Sequence, residues 1–183
     1  MPIFKGDIKK YKRYSGNKPA IILLLTTQGL WALFVYRISN SIYNSNLPRL
    51  VKRVFLFFAV LWQKWIEIVT GISIPYAATI GSEFYIGHFG NIIINTSTII
   101  GDNCNISQGV TIGVSGKSEN RGVPMIGNNV YIGANAVIAG RIKVGDNVVI
   151  GANSFVNRDV ESNCSVLGVP AKKISENTSA DYI

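Results

Sequence analysis

Histidine, cysteine and charge are all scarce in this sequence of 183 residues. The two cysteines, Cys104 and Cys164, are too few for a disulfide framework, so we expect reduced thiols and a cytoplasmic protein. The single histidine, His88, leaves no metal-ligand spacing of histidines and cysteines. No motif that interleaves basic and aromatic residues, as nucleic-acid-binding modules do, is present. These absences predict a protein without a metal site and without a nucleic-acid partner.

An unbroken apolar run that is long enough to cross a membrane is also missing. Crossing requires about 20 continuous apolar residues, but the apolar stretch 20–43 is interrupted at residues 26–29. No small-residue cleavage site of a signal peptide follows the stretch. We predict a basic arm or one short helix over residues 1–19 and helices over 20–43 and 48–70. Together they form a helical region over residues 1–71.

The composition of these helices does not decide what they pack against. They are very apolar, and the chain carries a formal net charge of +8. The helices are expected to pack on each other, on the first coil of the following domain, or on a second copy in an oligomer. The alternative is peripheral contact with the inner face of a membrane, in which Trp31, Trp62 and Trp65 act as interfacial aromatics beside cationic side chains.

The second part of the chain carries a repeat of six residues. Neither the helical period of 3.6 nor strand alternation produces a period of six. A hexapeptide produces it when each repeat forms one short strand and one turn, so that three repeats complete one coil of a parallel β-helix. The aliphatic residues that are predicted to point inward are Ile74, Ile80, Ile86, Ile94, Ile100, Ile106, Ile112, Ile126, Ile132, Ile138, Val144, Ile150 and Val156.

Smaller residues recur with the same period. The residue four places after each aliphatic is small enough to share the interior, as at Ala78, Thr98, Cys104, Val110, Val130, Ala136, Val148 and Ser154. Glycine often follows the aliphatic and asparagine often stands three places after it, where the chain must turn. Both residue types accept a positive φ more readily than others. We therefore predict glycine and asparagine at the corners of the coil.

The repeat sets the domain boundaries. We predict a mainly β domain over residues 72–174 and a flexible polar tail over 175–183. The interval between Ile112 and Ile126 is fourteen residues, which whole repeats do not fill. A flexible, polar loop over residues 113–125 must therefore leave the coil, as a loop over an active-site cleft would.

The repeat domain resembles the hexapeptide-repeat acetyltransferases, in particular serine O-acetyltransferases and the enzymes that acetylate capsule and surface polysaccharides. The resemblance rests on the hexapeptides, on Ile86-Gly87-His88, on the run from Gln108 to Gly113, on the loop Ser115 to Ser118 and on Gly168 to Lys172. It implies a left-handed β-helix, a homotrimer, and acetyl-CoA as the acyl donor without a metal.

His88 is the candidate catalytic residue. An alcohol must lose its proton as it attacks a thioester, and an imidazole that titrates near neutrality is suited to accept it. Relatives use the histidine at the matching position as a general base. Glu83 is our candidate to orient the imidazole, although a backbone carbonyl could do this equally well.

Three positions depart from the pattern of the serine-specific relatives. The resemblance implies an Asp at position 73, an Asp at position 87 and a second histidine at position 123, and this chain has Ser73, Gly87 and Val123. The matching positions thus supply no carboxylate for the ammonium group of serine. We therefore expect another hydroxyl acceptor, a sugar of a capsule, lipopolysaccharide or exopolysaccharide unit. The residues that we expect to bind it are Tyr85, Phe89, Asn91 and Asn95.

The donor site is assigned by resemblance. Gly113 and Ala134 match pantetheine-contacting positions, and Ala152 repeats the Gly-Ala corner one coil later, although any β-helix corner favours such small residues. Lys172 and Lys173 match the positions that meet the CoA phosphates, and Lys117 in the loop could do the same.

The expected activity is therefore acetyl-CoA-dependent O-acetylation of a sugar in polysaccharide biosynthesis. Two alternatives remain at this point: serine O-acetylation in cysteine biosynthesis, and a β-helix scaffold without catalytic activity.

Overall fold

A computed structural model describes residues 2–183, apart from the side chain of residue 120. Four helices precede the strands. They are α1 (Pro2–Tyr14), α2 (Ala20–Thr26), α3 (Gln28–Tyr43) and α4 (Arg49–Thr70). The apolar stretch 20–43 is two helices, α2 and α3, which meet at Thr27 with a bend of 97°. In the described part of the chain no single helix is both long and apolar enough to cross a bilayer, whereas this bent pair meets that criterion by length and composition.

The remaining residues form short strands at the predicted spacing. In chain order they are β1 (Ile72–Ser73), β2 (Thr79–Ile80), β3 (Tyr85–Ile86), β4 (Ile92–Ile94), β5 (Ile99–Ile100), β6 (Asn105–Ile106), β7 (Thr111–Gly113), β8 (Met125–Ile126), β9 (Tyr131–Ile132), β10 (Val137–Ala139), β11 (Lys143–Val144), β12 (Val149–Ile150), β13 (Phe155–Val156), β14 (Ser165–Gly168) and β15 (Ala171–Ser175).

These strands form the three faces of a parallel β-helix. The first face consists of β1, β4, β7, β10 and β13, the second of β2, β5, β8 and β11, and the third of β3, β6, β9, β12, β14 and β15. Up to β13, each strand from β4 onward therefore pairs in parallel with the third strand before it, one full coil below. Strand β14 pairs in parallel with β12, and β15 folds back antiparallel on β14. The predicted three-sided coil is confirmed.

The interior of the column contains the residues that the repeat predicts. All thirteen inward aliphatics are at most 5% exposed, and so are the eight smaller residues that follow them at four places. Cys104 is among the latter, and burial raises the pKa of its thiol to about 11. Its side chain therefore stays a neutral core group.

The corners need asparagine and glycine for different reasons. Asn103, Asn129 and Asn147 adopt the positive φ that we expected. The glycines that follow the inward aliphatics do not, so for them that explanation is wrong. A Cβ at Gly133 would lie 2.6 Å from the backbone nitrogen of Ala152, and one at Gly81 would lie 2.6 Å from the carbonyl carbon of Gly101. Glycine is required there because successive coils stack too closely for a side chain.

The helices close the lower end of the column. Tyr36 donates to the carbonyl of Ala78, and Tyr11 donates to the carbonyl of Ile86 and accepts from its amide. The buried Arg37 forms an ion pair with Asp7 and donates to the carbonyls of Ile80 and Gly81. These bonds satisfy backbone groups that the first coil would otherwise leave without partners.

Residues 114–124, between β7 and β8, lie outside the strands of the column. Ser115 and Gly122 exchange backbone hydrogen bonds at the base of this segment, and a 3₁₀ turn, Ser118–Asn120, forms its tip.

The last residues differ from the predicted flexible tail. Ser179 is buried and donates to the carbonyl of Asn129, and the ring of Tyr182 packs on Tyr131 with centroids 4.8 Å apart. The tail thus runs along the third face of the column. Its polar composition did not show that its carbonyl groups would find donors there.

Candidate active site

His88 lies at the corner where the chain passes from the third face to the first, between β3 and β4. The same corner is formed by Ser107 and Gln108 one coil higher, by Gly133 and Ala134 in the next coil, and by Gly151 and Ala152 above them. Gln108 therefore occupies the position of His88 one coil higher, and small residues occupy it in the two coils above. These small residues leave space for an extended ligand along the upper part of this edge.

A cleft of about 290 Å³ opens beside His88 on the third face. Strands β3, β6 and β9 supply its floor, helix α1 and the C-terminal tail supply its far wall, and Gly87 lines it next to the histidine. The side chains that line it include His88, Tyr14, Tyr85, Asn105, Tyr131 and Tyr182. The site is thus aromatic and polar, and it is assembled from three distant parts of the chain.

The tyrosines are held by one another and by the tail. The rings of Tyr14 and Tyr85 stack with centroids 4.4 Å apart. Burial raises the pKa of the Tyr85 hydroxyl, and the neighbouring Tyr14 adds to this effect. The ring of Tyr85 therefore presents neutral aromatic surface to the cleft at physiological pH.

Asn105 connects these walls. Its amide nitrogen donates to the hydroxyl of Tyr14 at 2.9 Å and to the carbonyl of Tyr182 at 2.8 Å. Its Oδ1 is buried and has no hydrogen-bond partner among residues 2–183. Less than 1 Å² of this oxygen is exposed, so it lies within the wall of the cleft and is closed to a ligand.

The predicted acceptor-binding residues are only partly brought together. Tyr85 lines the cleft with His88, but Phe89, Asn91 and Asn95 are not among its lining residues. Asn91 adopts a positive φ at the corner, and the Oδ1 of Asn95 accepts the amide of Ser97. These two asparagines thus have roles in the turns of the coil.

The carboxylate of Glu83 is engaged elsewhere. It accepts a 2.8 Å bond from Arg13 of α1, and within the described residues no hydrogen bond joins it to His88. The orienting role of Glu83 stays a prediction, which this contact does not support. A different carboxylate lies near Ser73, one of the departing positions. Burial acts to raise the pKa of Glu67, but hydrogen bonds from Lys64 and Ser73 outweigh it and lower the pKa.

The predicted donor-site residues lie at three places. Ala134 and Ala152 share the corner of His88, whereas Gly113 ends β7 at the other edge of the first face. Lys117 is exposed in the loop. Lys172 and Lys173 are exposed on β15, where Lys173 forms ion pairs with Glu176 at 2.8 Å and Glu161 at 3.7 Å.

Two of the residues that sequence reasoning missed, Asn105 and Tyr131, had a detectable signal. Like the predicted Tyr85, each stands directly before an inward aliphatic, and the strands place all three in register on the third face. The contributions of Tyr14 and Tyr182 left no such signal, because they come from segments outside the repeat.

Known proteins with the same features are serine acetyltransferases. The family described as "Bacterial transferase hexapeptide (six repeats)" matches residues 124–158. The serine acetyltransferase of Synechococcus elongatus is 35% identical over 164 residues, which are 90% of this chain and 64% of that protein. This chain thus spans less than two thirds of the length of that relative.

Solved structures agree with the sequence comparison. The Neisseria gonorrhoeae serine acetyltransferase in complex with serine has a TM-score of 0.81 and 31% identity, over 95% of this chain and 68% of that one. The chain belongs to the serine acetyltransferase family. The Brucella abortus serine acetyltransferase in complex with coenzyme A has a TM-score of 0.82 and 31% identity, over 96% of this chain and 67% of that one. The column is therefore the left-handed β-helix of this family.

Membership in the serine acetyltransferase family corrects one prediction. The sugar acceptor and the role in polysaccharide biosynthesis were wrong, because the relatives are serine acetyltransferases. The error came from Gly87 and Ser73. We treated the lack of a carboxylate at two matching positions as the lack of a site for serine, although other parts of the fold reach the same cleft.

Proposed function

We propose that this protein transfers the acetyl group of acetyl-CoA to the hydroxyl group of serine. Its family supports both substrates, since relatives have been solved with coenzyme A and with serine. The observation that carries the proposal is the place of His88. The only histidine of the chain stands beside a polar, aromatic cleft, at the foot of an edge on which Gln108 is followed by the small residues Ala134 and Ala152.

His88 acts as the general base in this proposal. Its imidazole accepts the proton of the serine hydroxyl while the serine oxygen attacks the carbonyl carbon of the thioester. The tetrahedral intermediate then collapses, the carbon–sulfur bond breaks, and the imidazolium returns the proton to the departing CoA sulfur. The products are O-acetylserine and CoA. Backbone amides near the corner stabilise the oxyanion, and no covalent enzyme intermediate forms.

The cleft can bind the ammonium group of serine without a carboxylate at position 87. Cations bind to the faces of tyrosine rings, and Tyr85 and Tyr131 both line the cleft. The ammonium group of serine suits such rings, because it carries a positive charge.

A homotrimer would complete the donor site. Within one chain, Gly113 and Ala134 lie at opposite edges of the first face. A pantetheine arm in the groove between two columns could therefore touch Ala134 of one copy and Gly113 of another. Lys117, Lys172 and Lys173 are the cations that we assign to the phosphates of CoA.

The test is the release of CoA thiol by the purified protein with acetyl-CoA, with and without serine, combined with detection of O-acetylserine. His88→Ala should lower the serine-dependent rate by about 10²–10⁴-fold, and Lys143→Ala, on the second face, should leave it unchanged. Full activity in the His88→Ala variant would refute the assigned base. A wild-type protein that releases thiol with no dependence on serine would refute the assigned acceptor.

A further inference from the structure

The net positive charge of this protein resides in its helical region. Residues 1–71 contain eleven of the 18 lysines and arginines but only two of the 10 acidic residues, Asp7 and Glu67. The β-helix and tail have slightly more acidic than basic residues, so the whole net charge of +8 resides with the helices. A column of neutral balance thus carries a strongly cationic base.

Helix α4 in this region has an exposed apolar surface. Its only buried residues are Ala59 and Thr70. Leu50, Phe57 and Ile68 are 75%, 60% and 79% exposed, and they follow one another along one side of the helix. A second stripe beside the first has the large exposed residues Val51, Phe55, Phe58, Trp62, Trp65 and Val69. An exposed apolar surface of this size indicates a binding surface.

The apolar surface continues between the helices. A groove of about 330 Å³ lies between α2, α3 and α4, and apolar side chains line it, among them Leu24, Phe34 and Ile66. Trp31 and Trp62 also line this groove, and Trp65 is exposed nearby on α4. The three tryptophans of the chain therefore all lie in the helical region.

The helical region also carries exposed cationic side chains. Arg49, Lys52 and Arg53 occupy the first two turns of α4, and both arginines are exposed. Lys5, Lys9 and Lys18 are exposed on and after α1. Glu67 is the one acidic residue of α4, and it is already paired with Lys64 at 2.5 Å.

We propose that the helical region binds the surface of an anionic phospholipid membrane. The exposed stripes of α4 enter the boundary between headgroups and acyl chains, the tryptophans lie at that boundary, and the cations contact lipid phosphates. Charge complementarity argues for this occupant, because anionic lipid headgroups complement the net positive charge of the helical region.

Flotation of the full chain with lipid vesicles tests this proposal. Vesicles of phosphatidylcholine are compared with vesicles in which half of the lipid is phosphatidylglycerol. We expect about tenfold stronger binding to the anionic vesicles at about 0.1 M salt, and weaker binding at about 0.5 M salt, because salt screens charges at the surface. Absence of binding to both vesicles, or equal binding to both, would overturn the proposal.

Tryptophan fluorescence provides a measurement that needs no variant. Since all three tryptophans lie in the helical region, anionic vesicles should shift the emission to shorter wavelength. Unchanged emission at saturating lipid contradicts the inserted arrangement.

Two double variants test the surface itself, and each has a control double variant in the β-helix. Phe57→Gln with Ile68→Gln should weaken vesicle binding about tenfold or more, while Ile99→Gln with Met125→Gln, exposed on the second face, should not. Arg49→Gln with Arg53→Gln should weaken binding to anionic vesicles to a similar extent, while Lys143→Gln with Arg158→Gln should not. Equal losses in test and control pairs contradict the proposal.

Light scattering tests whether a second copy of the chain, and not a membrane, covers this surface. If Phe57→Gln with Ile68→Gln reduces the number of copies in the oligomer and the wild type does not bind vesicles, the surface is covered by another copy and the proposal fails.

Discussion

Lys10 donates a 2.7 Å hydrogen bond to the Oδ1 of Asn103, at the lower end of a column of asparagine side chains. Above it, Asn103 donates to Asn129, Asn129 to Asn147 and Asn147 to Asn163, at 2.8, 3.0 and 2.8 Å. All these bonds point the same way, and each therefore strengthens the next. The helical region thus supplies the first donor of a hydrogen-bonded chain that follows one edge of the whole β-helix.

The burial of Lys10 predicts a specific pH dependence of stability. Burial lowers its pKa from 10.5 to about 8. Between these values the unfolded chain holds a proton that the folded protein has released, so stability due to this group rises with pH. The free energy of unfolding of the wild type, minus that of Lys10→Met, should increase by about 1 kcal/mol from pH 7 to pH 9.

Urea denaturation of both proteins at the two pH values measures this difference. Cys104, whose pKa is raised to about 11, is present in both and largely cancels. A difference that stays constant or falls over this range would mean that Lys10 does not release its proton.

The Asp7–Arg37 ion pair should be costly to break from one side. Arg37 donates to both carboxylate oxygens of Asp7, at 2.9 and 3.1 Å, and the amide of Phe84 donates to one of them. Asp7→Asn leaves a buried guanidinium without its counter-charge, which should cost about 3–5 kcal/mol of unfolding free energy. Asp7→Asn with Arg37→Met should cost less than the sum of the two single changes.

A double-mutant cycle measured by urea denaturation gives the coupling between these residues. We expect about 2 kcal/mol or more, since the two side chains are in direct contact. Additive losses would show that the pair does not act as a unit, for instance because Arg37 is held mainly by the carbonyls of Ile80 and Gly81.

The column was predictable because the inward residues of each repeat can be identified from the local sequence alone. Ile132, for example, is identified as an inward residue by its neighbours at six-residue spacing, and no distant contact is needed to place it. Cys104 and Thr98 were placed in the interior by the same register. Local periodicity therefore decided the β-helix, its core and the position of His88 at a corner.

The cleft was less predictable because its walls come from outside the repeat. Tyr14 of α1 and Tyr182 of the tail both bond to Asn105, and their separation in sequence hides this contact. The acceptor was wrong for a related reason. Gly87 was read as a missing ammonium partner, but the position alone does not show which other side chains face the same space.

Close stacking of coils predicts opposite outcomes for two corner glycines. In Gly133→Ala the new Cβ meets the backbone of Ala152 at 2.6 Å, so the coils must separate, at a cost of about 1–3 kcal/mol. In Gly87→Ala the nearest neighbour is the ring of Tyr85 at 3.5 Å, an ordinary contact. That variant should be as stable as the wild type or slightly more stable, since alanine restricts the unfolded chain.

Thermal denaturation of the two variants beside the wild type checks this contrast. Equal melting temperatures for Gly133→Ala and Gly87→Ala would show that the coils can separate without cost, and that glycine at position 133 is not required by stacking.

The space at position 87 also allows a direct test of how the ammonium group of serine is held. Gly87 lines the cleft beside His88, and an added side chain there has room. Gly87→Asp supplies the carboxylate that the serine-specific pattern has at this position. If tyrosine faces hold the ammonium group in the wild type, the added charge should lower the KM for serine by about three- to tenfold, as expected for one further ion pair of partly exposed groups. The kcat should change little, because the new contact is made equally in the ground state and the transition state.

Gly87→Asn is the matched control, which has the same shape without the charge and should leave the KM unchanged. A KM that falls equally in both variants would assign the effect to shape, and a KM that rises only in Gly87→Asp would show that serine places its carboxylate, and not its ammonium group, beside His88.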